Sequence, residues 1–353
     1  MGFRGVNNQT PFNADITILN DINGNEVLVV YVKATYSIID PHTLALADEQ
    51  APLEMAGAYY GEPGKSSLKT APESCFDKQT TDVCMLGHAH APGGQSTTEL
   101  DVVLRVENIV KTVRVYGDRV WRFVTDNTGH SFTQISEPQP FLMMPLRYEN
   151  AFGGKDETPE DDVDHEWEER NMIGKGIVSK NSQSEDFIQL PNLEDPDNLI
   201  NSITDRPQPA GFGPIPGDWQ PRRAYAGTYE EQWERERKPL LPEDFDIRFF
   251  NAAHPNLIAP EFLTGYEEVE IINASSLGHL HFRLPGDVPN IVVTMSGKKH
   301  IHLDTKLDTL TIDTDDHTVQ LLWRTGMPIK DSMHELDEVH TWILSKLVAN
   351  SAV

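Results

Sequence analysis

Hydrophobic and polar positions alternate in strand-like runs at both ends of the chain. From Val27 to Ile39 the run VLVVYVKATYSII is rich in β-branched and aromatic residues behind an Asn23-Gly24 turn, which predicts a strand. Leu100 to Val106 (LDVVLRV) and Val110 to Gly117 (VKTVRVYG) are separated by a short Glu-Asn-Ile link and read as a hairpin. Val113 and Val115 alternate there with Lys111, Thr112, Arg114 and Tyr116, as in a strand with one wet face. Between Asn290 and Arg324, the runs NIVVTMSG, KHIHLDT, LDTLTIDT and HTVQLLWR have the spacing of an antiparallel meander. The last segment, ELDEVHTWILSKLVA, places Leu336, Val339, Ile343 and Leu347 at helical spacing and predicts a short C-terminal amphipathic helix.

The middle of the chain has another character. PLRYENAFGG, LPNLEDPDNLI, PAGFGPIPGDW and FFNAAHP carry many Pro, Gly and Asn with little sustained periodicity, so long irregular loops are expected. Aromatics recur through them and offer anchors onto a sheet. The acidic run from Asp156 to Glu169 predicts a solvated loop. The pattern therefore predicts a mainly β fold: two antiparallel sheet or sandwich-like units joined by a long Pro/Gly-rich irregular region. Its expected parts are a β-rich segment 1–124, a loop-rich segment 125–260, and a β-rich segment 261–353 with the terminal helix.

Charge narrows the partners. Lys and Arg number 29 against 55 Asp and Glu, a formal net charge of −26. Such a chain repels nucleic acid unless it concealed a basic stripe, and the sequence holds none. A basic protein partner suits it instead. The N-terminus lacks the basic segment and apolar run of a secretory signal, and no stretch approaches the length of a membrane span, so a cytoplasmic location is expected. Cys75 and Cys84 are the two cysteines, which is neither a disulfide framework nor a zinc set.

Candidate chemistry is sparse. His88 and His90, His279 and His281, and His300 and His302 form three His-x-His pairs. On a strand each pair points both rings to one face, and a metal ion would then need further ligands such as Asp304 or Asp313. His88 and His90 are the minority metal candidates, and no cofactor is expected. No Gly-x-Ser-x-Gly elbow occurs. GEPGKSS, Gly61 to Ser67, ends like a phosphate-binding loop but lacks the first glycine and the strand-to-helix context, so it reads as a turn.

The series KATY, YYGEPGKSSL, GHAHAPGG, LDVVLRV, VYGDRVW, MPLRYENAFGG, LPNLEDPDNLI, PAGFGPI, WQPRRAYAGTY, PLLPEDFDIRFFNAAHP and FRLPG stands in order along the chain, within a matching stretch that runs roughly from Phe12 to Leu284. It resembles the large domain of unknown function encoded beside VgrG and PAAR spike genes in bacterial type VI secretion clusters. The resemblance implies a non-enzymatic cytoplasmic adaptor or chaperone, which holds an effector protein, a toxin, and promotes its loading onto a PAAR or VgrG spike protein. It offers no catalytic residues to carry over. Two other readings are a metal-dependent hydrolase built on the His-x-His pairs and a structural or secreted component of the particle. For an adaptor, the candidate partner-binding residues are the loop aromatics Phe212, Trp219, Tyr229 and Trp233 and the acids Asp161, Asp162, Glu168 and Glu169.

Overall fold

The computed structural model describes residues 3–157, 159–179, 188–297, 299–329 and 333–343. Its backbone is the strand Glu26–Asp40, fifteen residues long. One edge of this strand is shared by Asn13–Asn20 along its first half and Thr43–Leu46 along its second. Its other edge pairs with Thr318–Pro328, which pairs with Lys306–Asp313, which runs parallel to Asp82–Leu86. The apolar run at Val27 is continuous because both faces of this sheet are covered. Leu28, Val30, Val32 and Ala34 face the main core, whereas Val27, Val29 and Tyr31 form a second cluster with Leu322.

The N-terminal and C-terminal blocks build the sheets together. A five-stranded sheet joins the hairpin Glu99–Val106 and Ile109–Tyr116 to Glu268–Ile272 and Leu280–Arg283, with Leu193–Glu194 at one end. A four-stranded sheet sets Val6–Asn8 parallel to Leu336–Ile343, followed by Pro289–Met295 and Lys299–Leu303. The fold is thus mainly β, as the alternation predicts, with several sheets and, among the described residues, one short α-helix, Glu231–Glu236.

The expected C-terminal helix is a strand over Leu336–Ile343, and Leu347 lies outside the described residues. The register against Pro289–Met295 shifts between Thr294 and Met295, so Asp337 is an extra residue in the ladder. This bulge returns Leu336 and Val339 to the same buried side, three positions apart, and that spacing imitates one turn of helix. Beyond it Val339 and Thr341 are buried at the strand period of two.

The irregular middle is pinned by side chains that do the work of a ladder. Asn171 Nδ2 donates to the carbonyls of Tyr148 and Phe152, and Asn192 Nδ2 donates to the carbonyl of Tyr116. Trp121, Phe152, Ile177, Leu190 and Ile200 form a small core of their own beneath these loops. Phe212 and Trp219 enter the main core, where Trp219 meets Tyr148 edge-on at 5.9 Å between ring centroids. Burying backbone without regular pairing demands such partners, which explains the segment's wealth of Asn and aromatics.

Candidate functional sites

Two of the loop aromatics expected at a docking surface are core residues. Phe212 and Trp219 are 0% and 1% exposed, because the PAGFGPI and GDW segments fold inward against Tyr148 and the sheet. Tyr229 and Trp233 are placed differently. They stand on a finger, residues 228–244, with their rings in edge contact at 4.7 Å, and Tyr229 is exposed. Asp244 closes the base of the finger by accepting from Thr228 N at 2.9 Å and Thr228 Oγ1 at 2.7 Å. These bonds hold the Asp244 carboxyl below its usual range, so it is charged at neutral pH.

The finger is tied back to the sheet. Arg237 Nη2 donates to the carbonyl of Ile22 at 2.6 Å and its Nε to Leu241 O at 2.9 Å, while Trp233 Nε1 donates to Leu240 O at 2.8 Å. Leu240 packs over Gly24, whose φ of +82° suits the Asn23-Gly24 turn and where a Cβ would sit 3.0 Å from the leucine. Between helix and finger base lies a groove of about 510 Å³, lined by Trp233, Glu230, Glu236, Glu243 and Asp244. Its one lining cation, Arg237, is within 3.5 Å of Glu243 and is held by backbone carbonyls. The groove is therefore an acidic surface with an indole wall. The sequence reading named its one lining aromatic, Trp233, but none of its acids as a partner-binding residue, since their only signal is their recurrence around Trp233.

The Asp156 to Glu169 run is less solvated than its composition predicts. Asp161 and Glu169 are exposed. Asp162 opens a 3-10 turn, Asp162–Asp164, and its side chain lies outside the described residues. Glu168, by contrast, is buried at 8% exposure, because it grips Arg170 through Nε at 2.6 Å and Nη2 at 2.7 Å. Arg170 in turn reaches the carbonyls of Arg206 and Pro207, so Glu168 fastens the loop instead of facing a partner.

The histidine pairs stay apart. His88 and His90 lie on a three-residue strand, with His88 Nδ1 2.7 Å from Asp315 Oδ2. Burial lowers the pKa of His90 despite the nearby Asp315. His279 meets Glu270 at 3.0 Å, and His300 meets Thr294. Among the described residues no group of three or more His, Cys, Asp or Glu is arranged to hold a metal ion. The Gly61 to Ser67 turn holds no phosphate cradle either: Ser67 N and Oγ both donate to the Glu149 carboxylate.

The densest polar cluster has no sequence signature. On the second face of the long sheet, Lys78 Nζ lies 2.8 Å from Asp82 and 3.1 Å from Asp308, Arg324 Nη1 2.6 Å from Asp308, and Lys33 Nζ 2.6 Å from Glu73. All six are buried. Asp308 reaches this face through a β-bulge, since Leu307 pairs with Trp323 and Thr309 with Leu322. Burial would raise the Asp308 carboxyl, but Arg324 and Lys78 outweigh it and hold the carboxyl below its usual range. The same burial raises Cys75 to about 12 and pushes Cys84 up further, which leaves both thiols protonated and unreactive.

Among known families, the model described as "Uncharacterized protein conserved in bacteria (DUF2169)" matches residues 23–324. No curated protein and no solved structure matches the chain.

Proposed function

The chain belongs to this family of uncharacterized bacterial proteins, and from that premise we propose that it is a non-enzymatic adaptor. In this reading it works in the cytoplasm as a chaperone, binds a type VI secretion effector and promotes its loading onto a PAAR or VgrG spike protein. The secretion context rests on the ordered peptides between Phe12 and Leu284 that resemble the domain encoded beside spike genes. The observation that carries the binding role is the groove beside Trp233. Four carboxylates around an indole, with one lining cation that is already engaged, form a surface complementary to a basic segment of a client. The net charge of −26 adds a long-range field of the same sign.

The hydrolase alternative lacks a comparable support, because His88 meets Asp315 and, among the described residues, no group of three or more His, Cys, Asp or Glu is arranged to hold a metal ion. Co-purification with the products of the adjacent genes tests the proposal. A soluble complex with an effector, dependent on this chain for the effector's accumulation, is the expected result. Secretion of this chain into the medium at the level of the spike proteins, without a retained complex, would favour a particle component instead.

A further inference from the structure

His88–His90 runs antiparallel to Met143–Pro145, with His90 opposite Met143 and His88 opposite Pro145. Bonds from Ala91 N to Leu142 O and from Leu146 N to Gly87 O bracket this short ladder. His90 and Met143 are therefore a non-hydrogen-bonded pair, the kind in which opposed side chains approach most closely, with Cα atoms about 4.5 Å apart. His90 N accordingly donates away from the pair, to Asn273 O at 2.8 Å. Pleating sends His88, His90 and Met143 to one face and Ala89 and Met144 to the other. Burial agrees: Ala89 and Met144 enter the main core, both histidines are half-buried, and Met143 is 51% exposed. Two imidazoles and a thioether thus share a surface that core packing does not account for.

Asp315 prepares one of the imidazoles, its Oδ2 lying 2.7 Å from His88 Nδ1. The loop that carries Asp315 is fixed: Thr314 N and Oγ1 both donate to Leu86 O at 3.0 Å, and Asp315 N donates to the Asp313 carboxylate at 3.1 Å. A carboxylate on one ring nitrogen holds the proton there and leaves Nε2 as the lone-pair donor, the arrangement that orients histidine ligands in metal sites. Burial lowers the pKa of His90, so this ring too is neutral at pH 7. His317 also acts on His90 through its charge, but its Nε2 is 3.2 Å from Ser276 Oγ. Among the described residues no His, Cys, Asp or Glu completes a three-ligand group, so the third donor is sulfur. That set is selective, because calcium and magnesium seek oxygen and zinc takes imidazole, thiolate or carboxylate, whereas a thioether suits Cu(I). We propose that His88 Nε2, a ring nitrogen of His90 and Met143 Sδ bind a soft monovalent ion, Cu(I), with Asp315 as the positioning residue behind His88. The ion enters and stays as Cu(I), so no redox step is involved. The site is separate from the acidic groove and independent of the adaptor reading.

The test uses the full, untagged chain under reducing, anaerobic conditions, titrated with Cu(I) in competition with bicinchoninate. In protein labelled with ¹³C-methyl methionine, one equivalent of Cu(I) should shift the Met143 methyl resonance, assigned by its loss in Met143→Leu. Because Met143 is exposed, Met143→Leu should keep the melting temperature while weakening Cu(I) binding roughly tenfold or more. Asp315→Asn should weaken it about tenfold through the freed His88 ring. His279→Ala, in a different His-x-His pair, should change nothing, and excess Zn(II) should leave the Cu(I) in place. A Met143 methyl that ignores Cu(I), binding as tight in Met143→Leu as in wild type, equal weakening by His279→Ala, or displacement by zinc would overturn the proposed site. Wild-type affinity in Asp315→Asn would overturn the positioning role.

Discussion

Lys111 lies on the Ile109–Tyr116 strand with its Nζ 3.4 Å from Nε2 of His254, and both side chains are buried, at about 4% exposure. This contact clamps the irregular NAAHP segment to the hairpin, and it is electrostatically unfavourable. Burial lowers Lys111 to about 8, with only a weak opposing pull from Asp195. Burial first, and the Lys111 charge second, lower His254 to about 3. Both folded values are below the unfolded ones, so the unfolded chain binds more protons, and stability rises with pH through each window. For His254 that window is pH 3 to 6.5, and for Lys111 pH 8 to 10.5. At 1.36 kcal/mol per unit, the lysine costs about 3 kcal/mol at neutral pH. Lys111→Met keeps the apolar stem and removes the charge, so urea unfolding at pH 7 should show a gain of roughly 1–3 kcal/mol. Most of that gain should vanish near pH 10.5, where the unfolded lysine is itself half neutral. A variant that is destabilised at pH 7, or stabilised equally at both pH values, would refute the account of this contact.

Other substitutions separate structural from surface roles. Asp308→Ala leaves Lys78 and Arg324 without their shared carboxylate and should cost about 3–5 kcal/mol in chemical denaturation. Trp219→Ala should lose a similar amount, about 3–5 kcal/mol, as a core truncation, whereas Tyr229→Ala on the exposed finger should stay within about 0.5 kcal/mol of wild type. Glu168→Gln should lower the melting temperature by several degrees because it breaks the bidentate grip on Arg170, while Asp161→Asn should leave it unchanged; equal effects at the two positions would contradict their different burial.

The strand-rich ends were legible because alternation survives in the sequence wherever a ladder is regular. The hairpin Glu99–Val106 and Ile109–Tyr116 is an example, with Val113 and Val115 buried as the pattern predicts. Bulges defeated the same reasoning. One extra residue at Asp337 converts a period of two into an apparent period of three, and another at Asp308 turns a polar residue onto a buried face. Aromatic content in the middle of the chain did not by itself separate anchors from exposed rings, since Phe212 and Trp219 are buried whereas Tyr229 is exposed. The ion network was invisible because most of its members lie far apart in the chain: pairing of the long strand with Thr318–Pro328 brings Lys33 and Arg324 to one sheet, and Lys78 reaches Asp308 from a loop. Acidic composition pointed to the Asp156 to Glu169 run instead of the groove, for none of that run lines the groove and Glu168 within it bonds internally.

The central claim is that the acidic groove beside Trp233 recruits a basic segment of a client. The most direct measurement is the association rate of the purified chain with the effector identified by co-purification, followed at rising salt for wild type, Trp233→Ala and the double variant Glu236→Gln/Glu243→Gln. Attraction between exposed charges is screened over about 8 Å at physiological ionic strength, so the wild-type association rate should fall steeply with salt while dissociation changes little. The double variant should flatten that dependence, and Trp233→Ala should instead speed dissociation at least fivefold with the salt slope retained. Association that ignores both salt and all of these substitutions would contradict the account and place the client elsewhere on the molecule.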